Sequence, residues 1–293
     1  MLTTGLFVVA VLLTWPVPRL LPRLTALEYV PGPGLLLWQA ISLSAVFASV
    51  CLAPLAILQV VRDGRQIPAP AANIPLLLVG LLISGLIVAR LLLQGHRIGR
   101  NLRAARREHA ELVDLLGDPR AEAPYDSVTV LAHPTPTAYC IPGKRRRVVL
   151  TDSTIRALPG EDLAGVLAHE RAHLRLRHDL VLEFFTVLHT AVPRAIRSDR
   201  GMQEVRLLIE LLADRAACRT VGPVPVARAL VHLSDGAHPD AMLGANGAPA
   251  VRRMELLADN GSHRRLSVVV LAVAVLVVVA TGVTAWGALL GVG

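Results

Sequence analysis

The chain has few cysteines, few aromatic residues and fewer acids than bases. Its three cysteines, Cys51, Cys140 and Cys218, are scattered, and none belongs to a C-x-x-C pair. An odd, dispersed set supplies neither a disulfide framework nor a cysteine zinc site, so all three read as small buried apolar residues. Aromatic residues make up 3% of the sequence. The basic run RNLRAARRE has none interleaved to stack on bases. Thirty Lys and Arg against 22 Asp and Glu leave a net charge of +8, a balance open to nucleic-acid binding. The bases instead cluster beside apolar segments, where anionic lipid headgroups attract them. Anionic lipid is therefore the expected partner of these flanks, and direct contact with nucleic acid is not expected. No internal repeat or low-complexity tract interrupts the pattern outside the apolar segments.

Hydrophobic residues make up 53% of the 293, too many for an ordinary soluble domain of this length. The excess lies in four blocks: Leu2 to Pro18, Gly34 to Val61, Ile74 to Leu93, and Leu266 to Gly293. Each is near or above the roughly 18–20 residues needed to cross a bilayer core. Four transmembrane helices are expected, the first being the shortest, with Pro16 and Pro18 near its end. A cleaved signal peptide would carry its positive charge ahead of the apolar run. Here Arg19 and Arg23 follow it, so a retained helix is expected.

The same charges predict an orientation. Arg19 and Arg23 follow the first helix. His96, Arg97, Arg100, Arg103, Arg106 and Arg107 follow the third, and His263, Arg264 and Arg265 precede the fourth. The loop Arg62 to Asn73 holds only two arginines and one aspartate. The positive-inside rule then puts both termini outside and Gly95 to Arg265 inside a bacterial-type cell membrane, as a multi-pass protein.

The polar segment between the third and fourth helices is long enough to bury a core of its own. Gly95 to Leu116 reads as a basic helix continuing the third. SVTVL, TAYCI and RVVLT, within Ser127 to Ser153, read as a small antiparallel sheet of two or three strands, with a turn at Pro142-Gly143. Helical patterning resumes at Pro159 to Leu176, with Pro and acids in the first turn. It recurs at Asp179 to Ala191, stopped by Pro193, and at about Gln203 to Cys218, ahead of Gly222-Pro223.

The stretch AHERAHLRLRHD, Ala168 to Asp179, contains H-E-x-x-H on a helical pattern. At about 100° per residue, His169 and His173 lie roughly 40° apart and one turn from each other, so both imidazoles can reach one metal ion. Glu170 points about 100° away from His169; it can reach a water on that metal as a general base without ligating the ion itself. His178, nine residues after His169, would sit roughly 180° round on an unbroken helix and is expected to cap or pack at the helix end. The longer motif with a third histidine needs a helix-breaking Gly where this chain has Leu176. A peptidase zinc takes three protein ligands and keeps one open position. The third is expected to be an acid from another element. Glu210, in the apolar helix IELLADRAA, is a carboxylate in need of a partner. Asp214, one turn on, is placed to accept a hydrogen bond from a ligand imidazole.

ALPGEDLAGVLAHERAH followed by E-x-x-A-D at Glu210 to Asp214 resembles the membrane gluzincin peptidases. The likeness is greatest to the BlaR/MecR-type integral-membrane metallopeptidases; the HtpX/CAAX-prenyl-protease type is a cousin with the same two motifs. The resemblance covers roughly Val128 to Leu257. It implies a mainly α membrane protein: three transmembrane helices in 1–94, a cytoplasmic α+β zincin-like metallopeptidase domain in 95–265 with the small antiparallel sheet, and a fourth transmembrane helix in 266–293. It implies zinc (Zn2+) held by His169, His173 and Glu210, Glu170 as catalytic base, and Asp214 behind the ligands. His232 and Arg253 are candidate donors to the oxyanion. The four-helix layout leaves no length for the penicillin-binding sensor domain of the antibiotic receptors, so direct β-lactam sensing is not expected.

The function expected is that of a zinc-dependent endopeptidase cutting a protein substrate at the cytoplasmic face. A cytosolic repressor is one substrate class, as in the BlaR/MecR type; a membrane protein under quality control is the other, as in the HtpX type. Substrate is expected to lie extended along an edge strand, with TAYCI the candidate. A non-proteolytic receptor or scaffold is the competing class, and it leaves a base beside the metal without a task.

Overall fold

The structure is a computed structural model and describes residues 2–63, 74–120, 127–143, 145–234, 250–259 and 261–290. Most of the loop Arg62 to Asn73, used above for orientation, lies outside the described residues. The chain is mostly helical. It runs α1 (Leu2–Thr14), α2 (Val17–Leu20), two short 3-10 turns, α3 (Pro31–Asp63), α4 (Ile74–Leu116), β1 (Gly117–Arg120), β2 (Val128–Leu131), β3 (Ala138–Ile141), β4 (Arg147–Thr151) and α5 (Asp152–Ala157). It continues through α6 (Gly160–Leu176), α7 (His178–Ala191), α8 (Asp199–Val221), α9 (Pro223–Ser234), α10 (Ala250–Leu257) and α11 (Arg264–Leu290). Among the described residues, four stretches are long and apolar enough to cross a membrane: Thr3–Arg23, Pro31–Arg62, Leu77–Leu116 and Arg264–Leu290. The third apolar block and the basic run after it form one unbroken helix of 43 residues.

The described residues divide into two compact units. The first comprises Met1–Arg97, Phe185–Glu204 and His263–Gly293. Within it α1 and α11 both pack along α3. Leu6, Ala10, Ala48 and Ala285 form the buried seam between the three helices. Small side chains suit this seam, because apolar helices in lipid gain by close backbone approach rather than by leaving water.

The second unit comprises Ile98–Phe184 and Val205–Ser262. Its sheet has four strands in the order β1-β2-β4-β3. It is mixed, which corrects the antiparallel sheet expected from sequence: β2 and β4 pair in parallel, while β1–β2 and β3–β4 are antiparallel. The cause lies in β4. Val148, Val149 and Leu150 are all buried, so β4 is covered on both faces and takes a central place. The hairpin through Pro142-Gly143 puts β3 outside it, and β2 is left the other side, running the same way. β1, of sequence GDPR, has none of the branched or aromatic residues that mark a strand. Its Pro119 suits an edge position, where β1 lies.

One face of the sheet packs on α6 and α9: Val128, Val130, Ala138, Val148 and Leu150 meet Leu163, Val166, Leu167 and Ala229. Val149 and Ile141 on the other face meet Val113 of α4. Gly165 allows the close crossing of α6 and α9, since a Cβ there would lie 3.1 Å from the backbone of Pro225. Leu167 is 1% exposed in this core, two residues before His169. Leu167→Ala is expected to cost about 2–5 kcal/mol, the range for emptying such a site. Denaturant unfolding of the full chain in detergent measures it, and an unshifted midpoint would contradict the packing described.

Candidate metal centre

α6 carries the first half of the cluster. It starts after Pro159 with Glu161 and Asp162 in its first turn, where the positive end of the helix dipole favours acids. His169 and His173 sit one turn apart, with ring centroids 4.8 Å from each other. Ala172 of α6 packs against Ala213 and Ala216 of α8, all buried. Side chains this small shorten the distance between helix axes and bring Glu210 to the two rings.

His169 Nε2 and His173 Nε2 are 3.0 Å apart. Glu210 Oε2 lies 3.5 Å from His169 Nε2, and Glu210 Oε1 lies 3.6 Å from His173 Nε2. Among the described residues, this is the one group of three such side chains close enough to hold a metal ion. Ligand atoms at about 2.0–2.1 Å from a tetrahedral zinc are spaced about 3.3 Å from one another. The nearest pairs, 3.0–3.6 Å with one Glu210 oxygen facing each ring, lie close to that spacing, and two imidazoles with one carboxylate are a zinc-type donor set. The residues fit the metal.

Asp214 and Arg253 stand behind the ligands. Asp214 is 1% exposed. His169 Nδ1 donates to Asp214 Oδ1 at 2.9 Å. Arg253, on α10, donates from Nε to Oδ2 at 2.8 Å and from Nη2 to Oδ1 at 2.6 Å. Its Nη1 lies 3.2 Å from Glu210 Oε2. Arg253 therefore belongs to the cluster with its guanidinium committed to the two acids. His232, the other candidate oxyanion donor, stands exposed on α9, and none of the cluster contacts among the described residues includes it.

Burial and ion pairing pull against each other here. Burial works against a charge on His169, but hydrogen bonds to Asp214 and Glu210 outweigh it and push the ring up to about 10. Burial dominates at His173 and lowers it, with Glu210 opposing. Burial would raise both carboxylates. The charges of His173 and Arg253 hold Glu210 well below its usual range, and hydrogen bonds from Arg253 and His169 lower Asp214.

Glu170 is half-buried beside His169. Cys140, a buried residue of β3, is its neighbour. Burial, and then the Glu170 charge, push that thiol well above its ordinary value, so it stays protonated. TAYCI is an edge strand beside α6, as the sequence suggested, and its cysteine lies near the charge of Glu170. Cys51, Cys140 and Cys218 are all free.

His178 packs at the end of α6, as expected, but its partner is a ligand histidine. α6 ends at Arg177, which adopts a left-handed conformation at φ 54°, and α7 begins at His178. This break turns His178 back toward α6 and sets its Nδ1 2.9 Å from His173 Nδ1. The sequence places the break between Leu176 and Asp179 without a Gly or Pro to mark it; an arginine in the left-handed region is uncommon.

No curated protein and no solved structure matches the chain. The family model for peptidase family M48 matches residues 101–267. That stretch spans more than half of the sequence and encloses His169, His173, Glu210, Asp214 and Arg253. The chain belongs to peptidase family M48.

Proposed function

We propose that the chain is a membrane-embedded zinc endopeptidase whose metal is held by His169, His173 and Glu210. The observation that carries this reading is the meeting of three ligand side chains from two helices, their nearest ligand-atom pairs 3.0–3.6 Å apart, inside a stretch matched to a peptidase family. Zinc supplies Lewis-acid activation of a water and of the scissile carbonyl. Glu170 takes the proton from the attacking water at a carboxylate oxygen and passes it to the leaving amine nitrogen. Asp214 accepts the Nδ1–H of His169, so that the Nε2 lone pair of His169 is available to the metal. Arg253 holds Asp214 in place and offsets part of the acids' charge. We assign it to positioning rather than to the oxyanion.

Substrate is proposed to lie extended along the free edge of β3, adding a strand to the sheet beside Glu170. The basic flanks support an orientation with this unit at the cytoplasmic face and both termini outside. Two substrate classes follow from the two types of membrane gluzincin: a cytosolic repressor for a BlaR/MecR-type protease, a membrane protein for an HtpX-like one. Capture of cellular proteins on a Glu170→Gln trap, identified by mass spectrometry, discriminates between them. Failure of the purified full chain to cleave an unstructured protein with zinc present, or cleavage undiminished by a zinc chelator, counts against the reading.

The raised pKa of His169 makes a separate prediction. Below about 10 the metal-free ring carries a proton, and zinc must displace it. Apparent zinc affinity should therefore rise about tenfold per pH unit between roughly pH 6 and 8, and fall by the same factor on acidification. Chelator competition across that range measures the slope. A flat profile would mean that His169 is already neutral.

A further inference from the structure

Hydrogen-bond arithmetic at His178 leads beyond the ligands themselves. His173 Nε2 faces His169 Nε2 at 3.0 Å and Glu210 Oε1 at 3.6 Å. Its other nitrogen, Nδ1, faces His178 Nδ1 at 2.9 Å. The two rings meet edge to face, 87° between planes. A neutral imidazole carries one hydrogen, on Nδ1 or on Nε2, and only one hydrogen can lie between the two Nδ1 atoms. If His178 supplied it, His173 would carry its own hydrogen on Nε2 and have no lone pair to give a metal. If His173 supplies it, the Nε2 lone pair faces the cluster, and His178 carries its hydrogen on Nε2.

We propose that His178 is a positioning residue for the metal: its Nδ1 accepts the Nδ1–H of His173 and holds that ligand in the one tautomer able to bind. The two ligand histidines are then supported unequally, His169 by the carboxylate of Asp214 and His173 by a neutral ring. Two costs accompany the arrangement. Arg177 occupies a left-handed conformation to turn His178 inward. His178 is 1% exposed, and its Nε2 has no hydrogen-bond partner among the described residues. Strain and an unsatisfied buried donor are each unfavourable in a folded chain, and both arise from setting Nδ1 of this ring against the ligand. A neutral acceptor also spares the site a third buried acid alongside Glu210 and Asp214.

The inference rests on the zinc reading of the cluster, and one set of measurements separates the two. Zinc affinity of the purified full chain in detergent is measured by chelator competition for the unaltered protein, for His178→Leu, which cannot accept, and for His178→Asn, whose amide oxygen stands near the place of Nδ1. His178→Leu should weaken zinc binding about 10–100-fold, the usual effect of losing a partner behind a ligand, and His178→Asn should recover most of it. The visible absorption of the cobalt-loaded chain should change in the leucine variant and return in the asparagine variant. Nitrogen chemical shifts of the unaltered zinc-loaded chain should report His178 protonated at Nε2 and bare at Nδ1, a readout independent of how the variants fold. Equal zinc affinity in the leucine variant, no recovery with asparagine, or a His178 protonated at Nδ1 would each overturn the proposal. An unaltered chain that binds no zinc overturns the metal reading itself, and the role of His178 with it.

Discussion

Glu170→Gln should lower the rate of peptide-bond cleavage by about 10²–10⁴-fold, the usual worth of a positioned general base, while zinc affinity stays within a few-fold of the unaltered chain. The two effects separate because of where Glu170 sits. It is next to His169 on α6, but the ligand atoms that converge belong to His169, His173 and Glu210. Glutamine keeps the shape, so packing beside β3 is retained. What it loses is the ability to take a proton from water. Hydrolysis of an unstructured protein by the purified chain, together with metal content by atomic emission, tests both halves. Full turnover in the variant would sink the assignment of the base. Lost turnover with lost zinc would make Glu170 a structural member of the site.

Asp214→Ala should be the most damaging single change to stability within the cluster. Asp214 accepts two hydrogen bonds from Arg253 and one from His169. Its removal leaves a nearly buried guanidinium without its two-point partner, a loss of about 3–5 kcal/mol for a broken buried pair. Arg253 then has Glu210, 3.2 Å from its Nη1, as its remaining partner here. Drawing that carboxylate away from the rings should also cost zinc affinity, by about 10–100-fold. Because the folded pKa of Asp214 is depressed, its stabilisation is present at neutral pH, above its unfolded pKa of about 3.9, and is lost as pH falls through the folded value. Acid unfolding should therefore be shallower in Asp214→Asn than in the unaltered chain. Replacing both partners, as in Asp214→Leu with Arg253→Met, should recover much of the stability without recovering the metal, since apolar pairs often substitute for buried ion pairs. Unfolding midpoints of the three variants in detergent provide the test; an unchanged midpoint in Asp214→Ala would show the pair to be dispensable.

The ligands and their partners were unequally visible in the sequence. His169 and His173 follow from helical spacing alone, because a turn of helix is local geometry. Glu210 and Asp214 required a second step, from the rule that a carboxylate in an apolar helix needs a partner. Arg253 was visible as a candidate, but its task was not: its engagement with Asp214 and Glu210 depends on where α10 docks. His178 was expected to cap or pack at the helix end, but its partner, His173, was not visible because the turn at Arg177 sets the ring's direction.

The sequence by itself determined the four apolar stretches, the helical H-E-x-x-H and the existence of a small sheet. These depend on composition and on periods of two or 3.6 residues, which neighbours along the chain impose on one another. The tertiary structure decided the mixed strand order, the turn of His178 onto His173, the thiol of Cys140 against Glu170 and the grip of Arg253 on Asp214. Each of those joins groups that are distant in sequence or separated by a turn whose direction the sequence does not set. Only the packing of α6 against the sheet, α8 and α9 sets their distances.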